Sequence, residues 1–597
     1  MTRTESLAAA AFLAGTLGFA SHAGAQNIRL DKTVAFNQLV TDPGTVADTG
    51  TEVRQGPVEE DQLKKLIRGS LSSARVSSAH VPRPDTLEVT GTGAASGFDG
   101  ITQRQQRLAD GGNQFSIEPP DQGLAVGNGW IIEAVNLALR IRPASGAGSP
   151  AVVSLNRFFF QESAIVRETP ATPTTPKIPA KYGHFVSDPK AYFHAATGHW
   201  FVTALSIDVN PATGAFQGRS RVHVAVSRTA DPTGSWNFYS IETTNGTGTT
   251  LGHAGCPCFG DQPLIGADAN GFYITTNEFP IFVGGFNGAQ VYAISINDLE
   301  NVAVVQPRMK TFDNLPLAEG PAYTVQPAVA PPGVAYNGGT AYFLSALDFT
   351  ATLDDRIAVW ALSNTGWLST GTGPTPALRS LVLDSQSYGQ PPDAEQKDGP
   401  TPFGDLIKGL KIATEHLPLI AANDDRMQQV VFDGTRLWSA LNTVVKPLNG
   451  PTTVGSAYFV VQPSTTGGVL SARIVRQGYL SVNGNSLLYP SVAVNATGAA
   501  AVGLTLVGPD YYPSAAYVRL SGAGAPEVLN VTAAGAGPED GFTGYVSQVG
   551  SRTARWGDYS AATTDEAGNL WFATEYIPAL RRTLLANWGT YIGKITP

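Results

Sequence analysis

Four aspartates in this chain recur in one setting. Asp121, Asp188, Asp261 and Asp558 each stand where a polar stretch passes into a strand-like run: PDQGLAV, SDPKAYF, GDQPLIG and GDYSAAT. Asp424 opens a fifth such run, DDRMQQVV. Equivalent positions in a repeated structure gather at one end, so these carboxylates are expected to ring one mouth of a central channel. Hard oxygen ligands suit a cation such as calcium. A pair of carboxylates suits the acid–base work of glycoside cleavage. A structural role competes with both, each aspartate capping backbone N–H groups of its own turn. Arg555, three residues before Asp558, is the charge expected to offset the cluster.

Glu278 and Glu575 close two other strand-like runs, TTNEF and FATEY, and are the catalytic carboxylate candidates. Asn136 and Asn442 stand at similar ends. The competing role for all four is to bond a neighbouring repeat. Cys256 and Cys258 are the only cysteines, within HAGCPCFGD. An oxidising compartment favours a disulfide, although an extended separation of about 7 Å is at the limit for bridging. The alternative is a copper or zinc site with His253, Cys256, Cys258 and Asp261 as ligands. His194 and His199 flank a turn and could face each other across it. No nucleophile elbow, HExxH or P-loop motif occurs.

These residues sit on a repeated element. The stretch 555–576, RWGDYSAATTDEAGNLWFATEY, reads as strand, tight turn, strand. Asp565 opens the turn and Gly568 closes it, where Gly accepts a positive φ. Six earlier stretches follow the same plan, near 120–136, 187–205, 260–279, 326–347, 424–442 and 489–506, spaced by roughly 65–75 residues with one longer interval. Most intervals hold one or two further strand-like runs. Four short strands per unit is the plan of a β-propeller blade, and seven such units are counted, with six as the alternative. After 576 only one run remains, 589–596, so the last unit lacks a strand. A strand from the N-terminal side, 86–90 (TLEVT), is expected to close the ring. The Pro- and Gly-rich stretch 384–418 is read as a loop over one face.

Composition agrees. Gly is 65 and Pro 41 of 597 residues, and only 15 % are charged, which describes a turn-rich chain of short strands. The net charge of −9 argues against nucleic acid as a partner. Arg3, an apolar stretch over 7–19 and Ala23-Gly24-Ala25 read as a signal peptide over 1–25. The chain is therefore expected to be secreted, periplasmic or extracellular, and monomeric. No later run is long enough to span a membrane. Residues 26–84 are read as a flexible leader with a short helix over 59–70, and 85–597 as the propeller.

The repeats resemble those of secreted sialidase-like propellers of the BNR or Asp-box kind. That resemblance implies carbohydrate recognition, and an arginine triad where the chain is an active sialidase. The match departs in two places. Asp565 and Gly568, like Asp268 and Gly271, are three apart rather than two. The nearest counterpart of the family's Phe-Arg-Ile-Pro is Leu139-Arg140-Ile141-Arg142-Pro143, with an extra residue and no Phe. Two functions are therefore expected: binding of a glycan or cell-surface protein without catalysis, or glycoside hydrolysis or lyase chemistry by carboxylates at the channel mouth.

Overall fold

The computed structural model describes residues 27–41, 79–91, 95–245, 252–347, 353–409, 416–520 and 527–597, with the backbone of Leu17–Gly18. The expected helix over 59–70 lies outside these residues, as does nearly all of the expected signal peptide. Among the described residues no helix is long and apolar enough to cross a membrane.

Each hairpin found in the sequence opens an antiparallel meander. The first unit is Gly123–Gly127, Trp130–Val135, Ala138–Pro143 and Val152–Ser154. The second is Phe185–His194, His199–Val209, Phe216–Ser227 and Ser235–Glu242. The third is Cys258–Ala267, Gly271–Pro280, Ala289–Ser295 and Met309–Phe312, the last of which is too short to stand out in the sequence. The fourth is Gln326–Val329, Thr340–Ala346, Asp354–Ser363 and Ala377–Tyr388. The fifth is Val430–Phe432, Leu437–Val445, Thr453–Thr466 and Val469–Leu480. The sixth is Ser486–Val494, Ala500–Gly508, Tyr511–Arg519 and Val528–Ala533. Ala561–Thr564, Leu570–Tyr576 and Gly589–Ile595 begin the seventh.

The first strands touch in chain order, and Ala561–Thr564 returns to Gly123–Gly127. The molecule is thus an all-β propeller. Its core is divided among the seams between neighbouring units. Trp200 and Trp236 of the second unit pack with Ile132 and Leu139 of the first. Trp571 of the seventh packs with Leu124 and Ile131 of the first, which seals the ring. Because both faces of a sheet meet another sheet, strands such as LWSALNTVV are buried at every position instead of alternating.

The ring closes through an N-terminal strand, but not the expected one. Ala95–Thr102 pairs antiparallel with Gly589–Ile595 and completes the seventh unit. Within 86–90, Glu88–Thr90 instead runs parallel to Val528–Ala533 on the outer edge of the sixth. Ala95–Thr102 (ASGFDGIT) carries two glycines, which hid it from a propensity reading. The leader is corrected too. Ile28–Ala35 pairs with Ser235–Glu242 as a fifth strand of the second unit, and buries Ile28 against Tyr239 and Ile241.

The turns work as their residues imply. Asp565 Oδ1 accepts the N–H groups of Ala567 (3.1 Å) and Asn569 (2.9 Å), and its Oδ2 accepts the Trp571 indole at 2.9 Å. Asp433 does the same for Thr435, Arg436 and Trp438. Each turn aspartate therefore also fixes an aromatic ring of the seam.

Candidate functional site

Within or ahead of each first strand one residue adopts positive φ: Asp121 (46°), Asp188 (55°), Gln262 (49°), Thr324 (47°), Asn423 (57°), Tyr489 (51°) and Gly557 (115°). Such backbone is costly for residues other than glycine and must be held by its surroundings. The neighbouring unit holds Asp188, Gln262, Thr324 and Tyr489 by their N–H groups. Asn136 Oδ1 accepts the Asp188 N–H at 3.0 Å, and Asp188 Oδ2 accepts the Gln262 N–H at 3.1 Å. Asn277 Oδ1 accepts from Thr324 and Asn442 Oδ1 from Tyr489, both at 2.8 Å. Asp121 Oδ1 accepts the Asp558 N–H at 2.6 Å, tying the first unit to the seventh. The expectation that these aspartates cap their own turns is thereby corrected for Asp121 and Asp188: each caps a neighbouring unit, Asp121 the seventh and Asp188 the third. The positive-φ residue turns its N–H out of its own strand and towards that neighbour.

Asp121, Asp188, Asp261 and Asp558 do converge, and all are buried. Each acts electrostatically on the buried Tyr559 hydroxyl. Lys190 lies on the face of the Tyr559 ring. Burial brings its ammonium down to about 7 against the pull of Asp121, Asp188 and Asp558. Burial, and then the charge of Asp558, pushes Asp121 up to about 6, opposed by Arg555. The expected compensation by Arg555 is present, with Nη2 3.8 Å from Asp558 Oδ1. Asp424 is taken by Arg426 through a two-pronged contact of 2.6 and 2.7 Å. A cavity of about 50 Å³ below this layer is lined by Lys190, Tyr559, Ser560, Gln428 and Gln326. Among the described residues the ring aspartates do not draw together as a cation's ligands would; the one three-donor group is Cys256, Cys258 and Glu278. Asp121 and Asp558 meet at one seam, and Asp188 holds another.

The two glutamate candidates, Glu278 and Glu575, lie in separate clusters. Glu575 is buried among Glu118 and Glu539. Glu118 accepts the N–H and hydroxyl of Thr543 at 3.0 and 2.6 Å and lies beside Glu539, which accepts the Gly541 N–H at 2.8 Å. Burial raises the Glu118 carboxyl to about 7. Glu539 is pushed well above the usual range by burial, then by Glu118 and Asp540. Glu575 is raised likewise, by burial and then by Glu539, and its Oε2 has no hydrogen bond. Next to them Asp540 pairs with Arg582 at 2.5 Å and caps the helix Pro402–Gly409 through the N–H groups of Phe403 and Gly404. The long loop expected over one face thus docks here, Gln396 Oε1 accepting the Glu539 N–H at 2.8 Å. Glu118 and Glu539 escaped the sequence reading because both lie in connections outside the repeats. Only their acidity beside Pro and Gly, EPPD and PEDG, marked them.

Glu278 meets His253 instead. Its Oε1 is 2.6 Å from His253 Nδ1, and His253 Nε2 is 3.1 Å from Asp313 Oδ2. These bonds hold the imidazole up at about 9 although burial opposes them. Asn287 Nδ2 donates to Glu278 Oε1 at 2.9 Å. Beside this group Cys256 and Cys258 form a disulfide with Cα atoms 4.4 Å apart. Asp261 belongs to the channel cluster, which corrects the four-ligand metal set; the turn at Pro257 brings Glu278 to the sulfurs in its place.

The remaining expectations resolve simply. His194 and His199 do sit opposite each other, but His194 bonds Glu300 at 2.6 Å and His199 bonds the Ser227 carbonyl at 2.7 Å. Arg140 faces Glu133 across the strand pair and bonds Gln105 at 2.7 Å, away from the channel mouth.

No known family profile matches the chain, and no curated protein matches its sequence. Among solved structures, a Trypanosoma rangeli sialidase in complex with sialic acid is similar at 12 % identity and a TM-score of 0.32, over 72 % of this chain and 57 % of that one. The chain therefore spans little more than half of that protein. A phage phi92 endosialidase is similar at 9 % identity and a TM-score of 0.30, over 86 % and 69 %. An α-L-arabinofuranosidase, Arb93A from Fusarium graminearum, is similar at 9 % identity and a TM-score of 0.27, over 66 % and 89 %.

Proposed function

We propose that this chain is a secreted, monomeric, seven-bladed β-propeller that hydrolyses a carbohydrate. In this reading Glu575 is the proton donor and the Glu118–Glu539 pair is the base. One observation carries it: three buried carboxyls, Glu118, Glu539 and Glu575, lie close enough to raise one another's proton affinity, and each has an oxygen without a hydrogen bond. Burial raises the proton affinity of Glu575, the direction a general acid needs. Glycoside cleavage needs two carboxyls with separate roles, a proton donor and a base. The guanidiniums of Arg426, Arg555 and Arg582 each face an aspartate, which favours a neutral sugar over a carboxylated one. The seven hairpins and the seams between them support the blade count, and the N-terminal apolar stretch supports secretion.

The second reading is binding of a glycan or cell-surface protein without turnover. It is favoured by the docking of Gln396 against Pro418 and Glu539, beside the carboxyl cluster. Reducing-end release from a panel of neutral glycans separates the two. Glu575→Gln and Glu118→Gln are expected to abolish release, by about 10²-fold or more, while leaving array binding intact. Binding by the wild type without release supports the second reading; indifference to every glycan rejects both.

A further inference from the structure

We propose that the Cys256–Cys258 disulfide is a redox centre that exchanges with an external thiol, with Glu278 as its proton acceptor. The two sulfurs are placed unequally. Cys258 begins a strand, is fully buried and has its N–H held by the Thr244 carbonyl at 2.7 Å. Cys256 precedes the strand and is half-buried. An incoming thiol therefore meets Cys256 first, and Cys258 is the sulfur that leaves. The surroundings suit a departing thiolate. Asn287 Nδ2 lies 3.5 Å from Cys258 Sγ and 3.8 Å from Cys256 Sγ. Glu278 Oε1 is 3.9 Å from Cys256 Sγ and is bonded to His253, whose other nitrogen faces Asp313. A bare structural cross-link needs none of these groups. The bridge also closes a loop of only three residues, so it removes little entropy from the unfolded chain and has little value as a staple.

The step balances as follows. A thiol RSH gives its proton to Glu278 and its sulfur bonds Cys256 Sγ. The S–S bond breaks, and its electron pair passes to Cys258 Sγ, which recovers the proton from Glu278. A second thiol then attacks the sulfur of R, releasing Cys256 as a thiol and forming RSSR. The protein gains two electrons and two protons, and two external thiols become one disulfide.

The test equilibrates the folded wild-type protein in graded reduced and oxidised glutathione, then alkylates free thiols and weighs the intact chain. The expected result is reversible gain of two labels while the protein stays folded. A pair that remains oxidised until the protein unfolds overturns the proposal. Cys258→Ser should trap one glutathione on Cys256, whereas unlabelled Cys256 in that folded variant also overturns it. Glu278→Gln should slow exchange by about a hundredfold in protein that is still folded; an unchanged rate removes Glu278 from the mechanism and overturns that assignment.

Discussion

The residues that matter most at this protein's channel mouth are acids held away from water. Asp121, Asp188 and the three asparagines Asn136, Asn277 and Asn442 hold N–H groups that would otherwise be buried and unbonded. Losing such a partner costs about 1–3 kcal/mol per group. Glu118 behaves differently because burial raises its carboxyl from 4.5 to about 7. A raised carboxyl binds its proton more tightly in the folded state than in the unfolded state. Folding then takes up a proton between those two values, so stability is lost as pH rises through that window. Glu118→Gln removes this loss. Its stability relative to the wild type should improve from pH 4.5 to about 7 and then level off, read from urea denaturation at a series of pH values. A gap independent of pH, or one that moves the other way, contradicts the raised carboxyl. The comparison between proteins matters, since His223 is pulled down to about 3 by burial and so opposes the trend in both.

At the scale of elements, the N-terminal strands differ in what depends on them. Ile28–Ala35 and Glu88–Thr90 add outer strands to sheets that already have four members. Ala95–Thr102 is the fourth strand of the seventh unit and joins chain ends that are nearly 500 residues apart. Truncation to residue 94 should therefore leave a folded ring of lower melting temperature. Truncation to residue 102 exposes the edge of Gly589–Ile595 and opens the seventh unit. It also releases Ile101, whose N–H is accepted by Glu133 of the first unit at 2.8 Å. Scanning calorimetry and near-UV circular dichroism should show native packing in the first protein and its loss in the second. Equal melting temperatures would refute this division of labour.

Over the whole molecule, the seams make the ring a single cooperative object. Each unit buries its two faces against two neighbours, and the last seam joins the seventh unit to the first. No unit can leave without exposing two seams. Thermal unfolding should accordingly be one transition whether followed by tryptophan fluorescence or by far-UV circular dichroism, because Trp200, Trp360 and Trp571 lie in different seams. Separate transitions by the two probes would show that blades unfold independently.

The sequence by itself determined the local part of this fold. Seven hairpins could be read from Asp- and Gly-bearing turns followed by apolar runs, since turn chemistry and burial of both strand faces act within about 20 residues. It also marked Asp121, Asp188, Asp261 and Asp558 as neighbours, because repetition maps equal positions onto one end of a ring. Three things were decided only in three dimensions. The closing strand depended on which segment could reach the open edge, and Ala95–Thr102 won over a stretch of higher strand propensity. The partners of the acids depended on the seam: Asp121 and Asp188 each bond a neighbouring unit, and Glu278 and Glu575, equivalent in the repeat, were drawn into different clusters by loops that share no repeat. Glu118 and Glu539 became a pair because two connections, more than 400 residues apart, cross at the same mouth. Their raised proton affinity comes from burial under that crossing, and desolvation is a property of the assembled fold that no local stretch of sequence carries.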